Sequence, residues 1–220
     1  MQTRIEEIER VGRGLRARRV RFSDGTERVT AARAVKTLPL ESGMSLTSAE
    51  LETALEEIEP DLARDRALRL LGYRERSAAE LTARLVNDGF PAAVVSDVTD
   101  SLQASGLLDD ERFAEYLVRT RAAGGYGRQH IIRELIQNGV EREAAESYVD
   151  TTETAASEAE RLRSLVAAHP PKDRRERDRL LRKLVAKGFA PGAVLDAMRY
   201  ADDSHADSGD DPPGCDTSQA

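Results

Sequence analysis

The sequence predicts a mainly α protein: tandem three-helix repeats in an elongated array able to curve, behind a small β-containing N-terminal segment. Three observations predict this. The stretch Ser77 to Phe90, SAAELTARLVNDGF, is written three times along the chain. Apolar residues make up 40% of the 220, but aromatics only 4% and Trp none, so the core falls to Leu, Val, Ile and Ala, which suits packed helices. Alternating character around Asp24-Gly25 is confined to the first 30 residues, and that dipeptide is a hairpin-turn signal because both positions tolerate positive φ.

The N-terminal segment, 1–60, reads as two or three short strands over 4–30 and a helix at 31–37. Six arginines between Arg10 and Arg21 form its densest basic run, either a solvated strand face or a set of phosphate contacts. Pro39 and Ser42-Gly43 mark a connector. Thr47 and Glu50 have capping-box spacing before a helix whose Leu51, Leu55 and Ile58 share one face, and Pro60 is expected to end that helix or begin the next.

The repeated stretch sets the organisation beyond it. Ser77 and Glu80 have capping-box spacing, Leu81 and Leu85 lie one turn apart, and Gly89-Phe90 is a helix stop. Leu81, Leu85, Gly89 and Phe90 recur after 50 residues as Ile131, Leu135, Gly139 and Val140, and after 49 more as Leu180, Leu184, Gly188 and Phe189. In the helix that follows, Val94 and Val98 correspond to Ala144 and Tyr148, then to Ala193 and Ala197. The repeats are thus 61–106, with helices over 62–74, 77–88 and 91–105; 107–154, with helices over 109–123, 127–138 and 141–154; and 155–200, with helices over 155–168, 173–187 and 190–200. Three short helices bury little alone, so neighbours should stack, giving a long surface rather than one deep pocket. Residues 201–220 hold six acids and no large apolar residue, and are expected to be disordered.

The net charge of −7 hides a pattern. Residues 1–40 and 154–200 each carry +5, while 41–63 carry −7 and 107–153 carry −4. Local patches, not the mean, decide what binds. No apolar run is long enough to span a membrane, the start MQTRIEEIER lacks a signal-peptide core, and the lone Cys215 lies in a polar tail, so a cytoplasmic protein is expected. Nothing suggests catalysis, a cofactor or a metal. Asp109-Asp110-Glu111 suits a helix start. His130, His169 and His205 show no ligand spacing, with His130 expected as an exposed helix residue. Gly124-Gly125-Tyr126-Gly127 lacks the Lys and strand of a nucleotide loop and reads as a flexible turn. Phe90, Phe113, Tyr116, Tyr148 and Phe189 fall at core positions, so base stacking has little support.

Basic residues recur where the first helix of a repeat meets the second. Arg74 and Arg76 do so in the first copy, Arg119, Arg121 and Arg128 in the second, and Lys172, Arg174, Arg175, Arg177 and Arg179 in the third. Arg133 and Arg182 share a slot. Eleven of these (Arg74, Arg76, Arg119, Arg121, Arg128, Arg133, Lys172, Arg174, Arg175, Arg177, Arg182) are candidates for contact with phosphates or an acidic partner. The competing reading is a solvated helix carrying Asp173–Arg177 and Asp178–Arg182 pairs.

The residues also resemble a known family, the RecX regulators of bacterial RecA recombinase. The resemblance covers about 3–200. It is carried by Tyr73-Arg74-Glu75-Arg76-Ser77 with Glu80-Leu81, by Gly106-Leu107-Leu108-Asp109-Asp110 with Phe113-Ala114 and Tyr116, and by Val118-Arg119, Arg121, Gly127, Ile131, Glu134-Leu135 and Gly139-Val140. The Ile5–Leu55 region looks like the β-rich start of longer members. The resemblance implies a small cytoplasmic, monomeric, non-enzymatic modulator that docks in the groove of the RecA–DNA filament. It would restrain ATP hydrolysis, strand exchange and coprotease activity in DNA repair, recombination and the SOS response, touching single- or double-stranded DNA weakly and without sequence specificity. The alternative is a helix-turn-helix DNA-binding protein.

Overall fold

The computed structural model describes residues 3–12, 14 and 16–206. Three strands come first: β1 (Ile5–Val11), β2 (Ala17–Phe22) and β3 (Glu27–Ala31). They form one antiparallel sheet in that order, with the β2–β3 turn at Asp24-Gly25, where Gly25 has φ +84°. Ten helices follow among the described residues: α1 (Ala32–Thr37), α2 (Ser48–Leu71), α3 (Ala78–Asn87), α4 (Ala92–Ala104), α5 (Asp110–Ala123), α6 (Arg128–Gln137), α7 (Arg142–Thr152), α8 (Ala155–Ala167), α9 (Arg174–Ala186) and α10 (Pro191–Ala206). The chain forms two compact units, Met1–Phe113 and Ala114–Ala220.

In the first unit, α2 is one helix of 24 residues that runs through Pro60. The expected break is absent because the buried residues fall every fourth position, Leu51, Leu55, Glu59, Ala63 and Ala67. Four residues overshoot a helical turn by about 40°, so this stripe winds around the helix. Its first part packs with Ile5, Val20, Phe22 and Ala34, its second with Leu81, Leu85, Val95 and Leu102 of α3 and α4. Thr47 closes a complete capping box with Glu50 (2.8 and 3.2 Å). At the crossover, the buried Glu59 carboxylate accepts a 2.6 Å hydrogen bond from Thr30 and lies 3.5 Å from Arg28. Burial raises the Glu59 pKa above its ordinary 4.5, against the pull of Thr30 and Arg28.

The repeated stop is built alike each time. Gly89, Gly139 and Gly188 take φ +101°, +89° and +95°. The next residue donates its N–H to the carbonyl five back: Phe90 to Leu85, Val140 to Leu135, Phe189 to Leu184 (3.1–3.2 Å). That is the Schellman closure, and it folds Phe90 and Phe189 into their cores. At Gly89 there is no room for a Cβ, which would lie 2.7 Å from the Thr30 carbonyl oxygen.

The second unit contains α6 packed on α7, and α8 packed on α10, the latter sealing Leu162, Val166, Leu184, Phe189, Val194 and Met198. Three expectations shift. In the third helices a fully buried residue (Val95, Ala145, Val194) stands one position after each of Val94, Ala144 and Ala193. Tyr116 is 41% exposed rather than core. Helix α10 continues to Ala206, past the expected end at 200; the rest of the acidic tail lies outside the described residues.

Two outcomes follow from this packing. Gly89→Ala should cost about 3 kcal/mol in urea unfolding, from left-handed strain plus overpacking. Gly106→Ala, with positive φ but open space around its Cβ, should cost about 1 kcal/mol; equal costs would contradict the close approach. Because the fold favours protonated Glu59, its contribution is full below the ordinary carboxyl pKa and lost as pH rises through the raised one. Glu59→Gln should therefore gain stability relative to the parent between pH 4 and pH 7; a relative loss would show that the Arg28 pair outweighs burial.

Candidate functional site

The eleven candidate cations separate by what holds them. Helix α2 ends with unsatisfied carbonyls, and Arg76 turns back so that its Nε donates to the Leu70 carbonyl (3.2 Å). Arg76 is only 5% exposed and also pairs with Glu80. Burial lowers the Arg76 pKa, with Glu80 opposing. Arg74 grips the same carboxylate through both terminal nitrogens (2.9 and 2.6 Å). Glu80 thus takes two guanidiniums and does not complete the expected capping box. Ser77 still accepts the Glu80 N–H (3.1 Å), and Asp110 accepts the Ala78 N–H (2.7 Å).

In the second unit, Arg121 on α5 donates twice to Glu134 on α6, Nε at 2.6 Å, and these hydrogen bonds raise its pKa. Arg128 pairs with Asp150 at 2.9 Å, while its backbone N–H donates to Glu158 (2.7 Å). Arg161, outside the eleven, pairs with Glu153 and donates to the Tyr126 carbonyl (3.1 Å). Recurrence at the helix junctions therefore has a structural source: Arg74, Arg76, Arg121 and Arg128 tie neighbouring elements together.

Six of the other seven cations face water. Arg119 is exposed beside Glu115, an i,i+4 pair worth little in water. Arg133 donates to the Gln129 carbonyl one turn back (3.1 Å), and Arg182 likewise to that of Asp178 (3.1 Å). Lys172, Arg174 and Arg175 are exposed at the start of α9, and Arg177 is half-buried there. Asp173 caps this helix by accepting the Glu176 N–H (2.7 Å), which leaves its basic side chains outward while Leu184 points into the core. Asp109 caps α5 in the same way, accepting from Glu111 and Arg112 (2.9 and 3.1 Å).

One feature escaped the sequence reading. Tyr126, in the presumed flexible turn, stacks on His130 with ring centroids 4.3 Å apart and planes at 21°. The Arg121 guanidinium and the Lys187 ammonium lie 6.0 and 5.4 Å from the Tyr126 centroid. A cavity of about 530 Å³ opens here, lined by these rings with Arg133, Glu134, Gln137 and Asn138. The signal was the i,i+4 spacing of two rings across a helix start. Ring faces, amides and a guanidinium suit stacking and anion contact rather than bond making. Among the described residues no group of three or more His, Cys, Asp or Glu is placed to hold a metal ion, and no helix is long and apolar enough to cross a membrane.

Comparison with known proteins places these helices. A family model described as RecX, first three-helix domain, matches residues 63–102, and one described as RecX, second three-helix domain, matches 109–148. The chain is 37% identical over 146 residues to a protein named Regulatory protein RecX from Halorhodospira halophila, covering 65% of this chain and 90% of that one. It is 35% identical over 143 residues to the protein of that name from Leptothrix cholodnii, covering 64% and 89%. Two solved structures share the fold at 21% identity. One, a crystal structure of regulatory protein RecX, has a TM-score of 0.55 over 88% of this chain and 99% of its own. The other, of RecX from Lactobacillus salivarius, has a TM-score of 0.56 over 66% and 97%.

The sorting of the cations predicts unequal mutants. Arg76→Ala should lower stability by about 2 kcal/mol, because it strands a buried carbonyl and removes one of the two guanidiniums on Glu80. Arg174→Ala should stay within about 0.5 kcal/mol of the parent. Chemical unfolding of both variants checks this, and a silent Arg76→Ala would return that residue to the pool of free surface cations.

Proposed function

The chain belongs to the RecX family of regulatory proteins, and we propose that it regulates a RecA recombinase by binding the RecA–DNA filament. The observation that carries this reading is the sequence likeness to proteins named Regulatory protein RecX, which spans nine tenths of such a relative's length. The site geometry supports it. Among the described residues, unit two presents exposed cations, Arg133, Lys172, Arg174, Arg175 and Arg182, on short helices rather than around a reactive centre.

Exposed Arg119, Arg133, Lys172, Arg174, Arg175 and Arg182, with Arg177 at their edge, meet phosphates or acidic recombinase surface. The three-helix repeats span successive filament subunits and restrain ATP hydrolysis, strand exchange and coprotease activity. Arg74, Arg76, Arg121 and Arg128 serve this indirectly, by holding the repeats in shape. The protein acts in the cytoplasm as a monomer, and it holds nucleic acid weakly and without sequence preference. The helix-turn-helix reading has less support at the end of α6, where one of the two amides that could read a base is already used. The Asn138 amide is spent on the Glu134 carbonyl of its own helix (2.7 Å).

Added at stoichiometric levels to RecA on single-stranded DNA, the protein should slow ATP hydrolysis and strand exchange. Arg174→Glu/Arg175→Glu should weaken that inhibition by about tenfold at low salt, each lost phosphate contact also flattening the salt dependence. No effect of the parent on the filament would sink the reading. Full inhibition by the double variant would remove α9 from the contact surface.

A further inference from the structure

Unit one carries a second basic feature, and it is concave. A cavity of about 300 Å³ opens among β2, β3, α1, α2 and the end of α3. Arg16 and Arg18 reach it from β2 and the residue before it, Arg33 and Lys36 from α1, and Arg66 and Arg69 from α2. Spacing of two in an extended segment, and of three in a helix, puts both members of each pair on one side of their element. Three elements therefore deliver two cations each to one hollow. Its walls include Ala31, Ala32, Leu62 and Phe90. The one carboxylate there, Asp88, is 5% exposed and held by Arg66 at 2.7 Å, with Arg16 at 4.0 Å.

The rest of the sheet shows what balanced arginines look like. Arg19 and Arg21 face their register partners Glu9 and Glu7 and pair with them at 2.9 Å. Arg18 has Arg10 and Thr30 as register partners and donates to the Ala17 carbonyl (2.9 Å). Like charges directly opposed on neighbouring strands cost stability. Arg69 also reaches Asp65 at 3.7 Å, on its own helix. Six cations crowded at one hollow still raise its positive potential, which favours an anion among them. Five of the six are arginines, whose planar forks match phosphate oxygens.

We propose that this cavity is a phosphate-binding site, filled by the phosphates of a nucleotide or of a nucleic-acid backbone. Arg33 and Lys36 are its outer grip; both are exposed, and among the described residues neither forms an ion pair. Arg66 and Asp88 fix the inner wall. Arg16, Arg18, Arg33 and Lys36 precede residue 63, so the site is built largely by the segment that neither three-helix family model reaches. It goes beyond filament regulation and does not depend on it.

The test uses the full chain without recombinase, so its outcome is separate from that of the filament assay. Anisotropy of a fluorescent oligo(dT) is followed against salt for the parent and for Arg33→Glu/Lys36→Glu. The variant should bind about tenfold more weakly at 50 mM salt, with a log–log slope shallower by about 1.4, two phosphate contacts on a single strand. Its thermal midpoint should be unchanged. ATP distinguishes the source: displacement of the oligonucleotide by submillimolar ATP points to a free nucleotide, and inert ATP points to the polynucleotide backbone. Parent-like binding of both oligonucleotide and ATP by the variant overturns the site. Competition by polyglutamate as strong as by the oligonucleotide, lost equally in the variant, overturns its assignment to phosphate.

Discussion

The left-handed glycine that closes the second helix of a repeat is the constraint on which the rest depends. At Gly89 the φ of +101° is disfavoured for any side chain, and the Thr30 carbonyl and the Ala17 methyl occupy the space a Cβ would need. The sheet can therefore sit directly on the end of α3. That contact places Asp88 beside Arg66, folds Phe90 inward and leaves the basic hollow between sheet and helices. In unit two, Gly188 makes the equivalent approach to the start of α6: Gly127 and Gln129 donate their N–H groups to the Lys187 and Gly188 carbonyls (2.9 and 3.1 Å). A Cβ on Gly127 would lie 2.6 Å from Gly188. Free amides at one helix start thereby satisfy free carbonyls at another helix end, where their partial charges are opposite.

Charge is sorted by the same packing. A third of the residues are charged, far more than a core can use. Where a helix end or a junction is covered, a carboxylate waits for the guanidinium: Glu80 for Arg74 and Arg76, Glu134 for Arg121, Glu153 for Arg161. Where nothing covers the helix, as at Arg174 and Arg175 of α9, the cations stay in water. Binding capacity therefore does not follow arginine density. An arginine already gripped by two oxygens would have to give up those bonds before meeting a phosphate.

Most of the fold was legible in the sequence because it rests on local signals. Asp24-Gly25 announced the hairpin, Thr47 and Asp109 announced helix starts, and the thrice-written stop announced the repeat. Pro60 misled, since a proline is a local signal and the winding stripe that carries α2 past it is a tertiary one. The site was less legible. Spacing located Arg74, Arg76 and Arg121 at the junctions, but spacing does not say which way a side chain turns. Glu134 claims Arg121 across thirteen residues and a helix boundary. The basic hollow joins Arg16 to Arg66 and Lys36 to Arg69, pairs that no periodicity links. Tyr126 and His130 read in sequence as a turn and a surface residue, and only the fold joins them in one stack.

Regulation by contact with a filament requires that particular helices become covered. Hydrogen–deuterium exchange of the chain, alone and in saturating RecA filament on single-stranded DNA, measures this directly. Exchange should slow over 128–137 and 172–182, with little change over 78–87, where the α3 backbone is already sealed by its own unit. Exchange unchanged over both basic segments, with protection confined elsewhere, would contradict it.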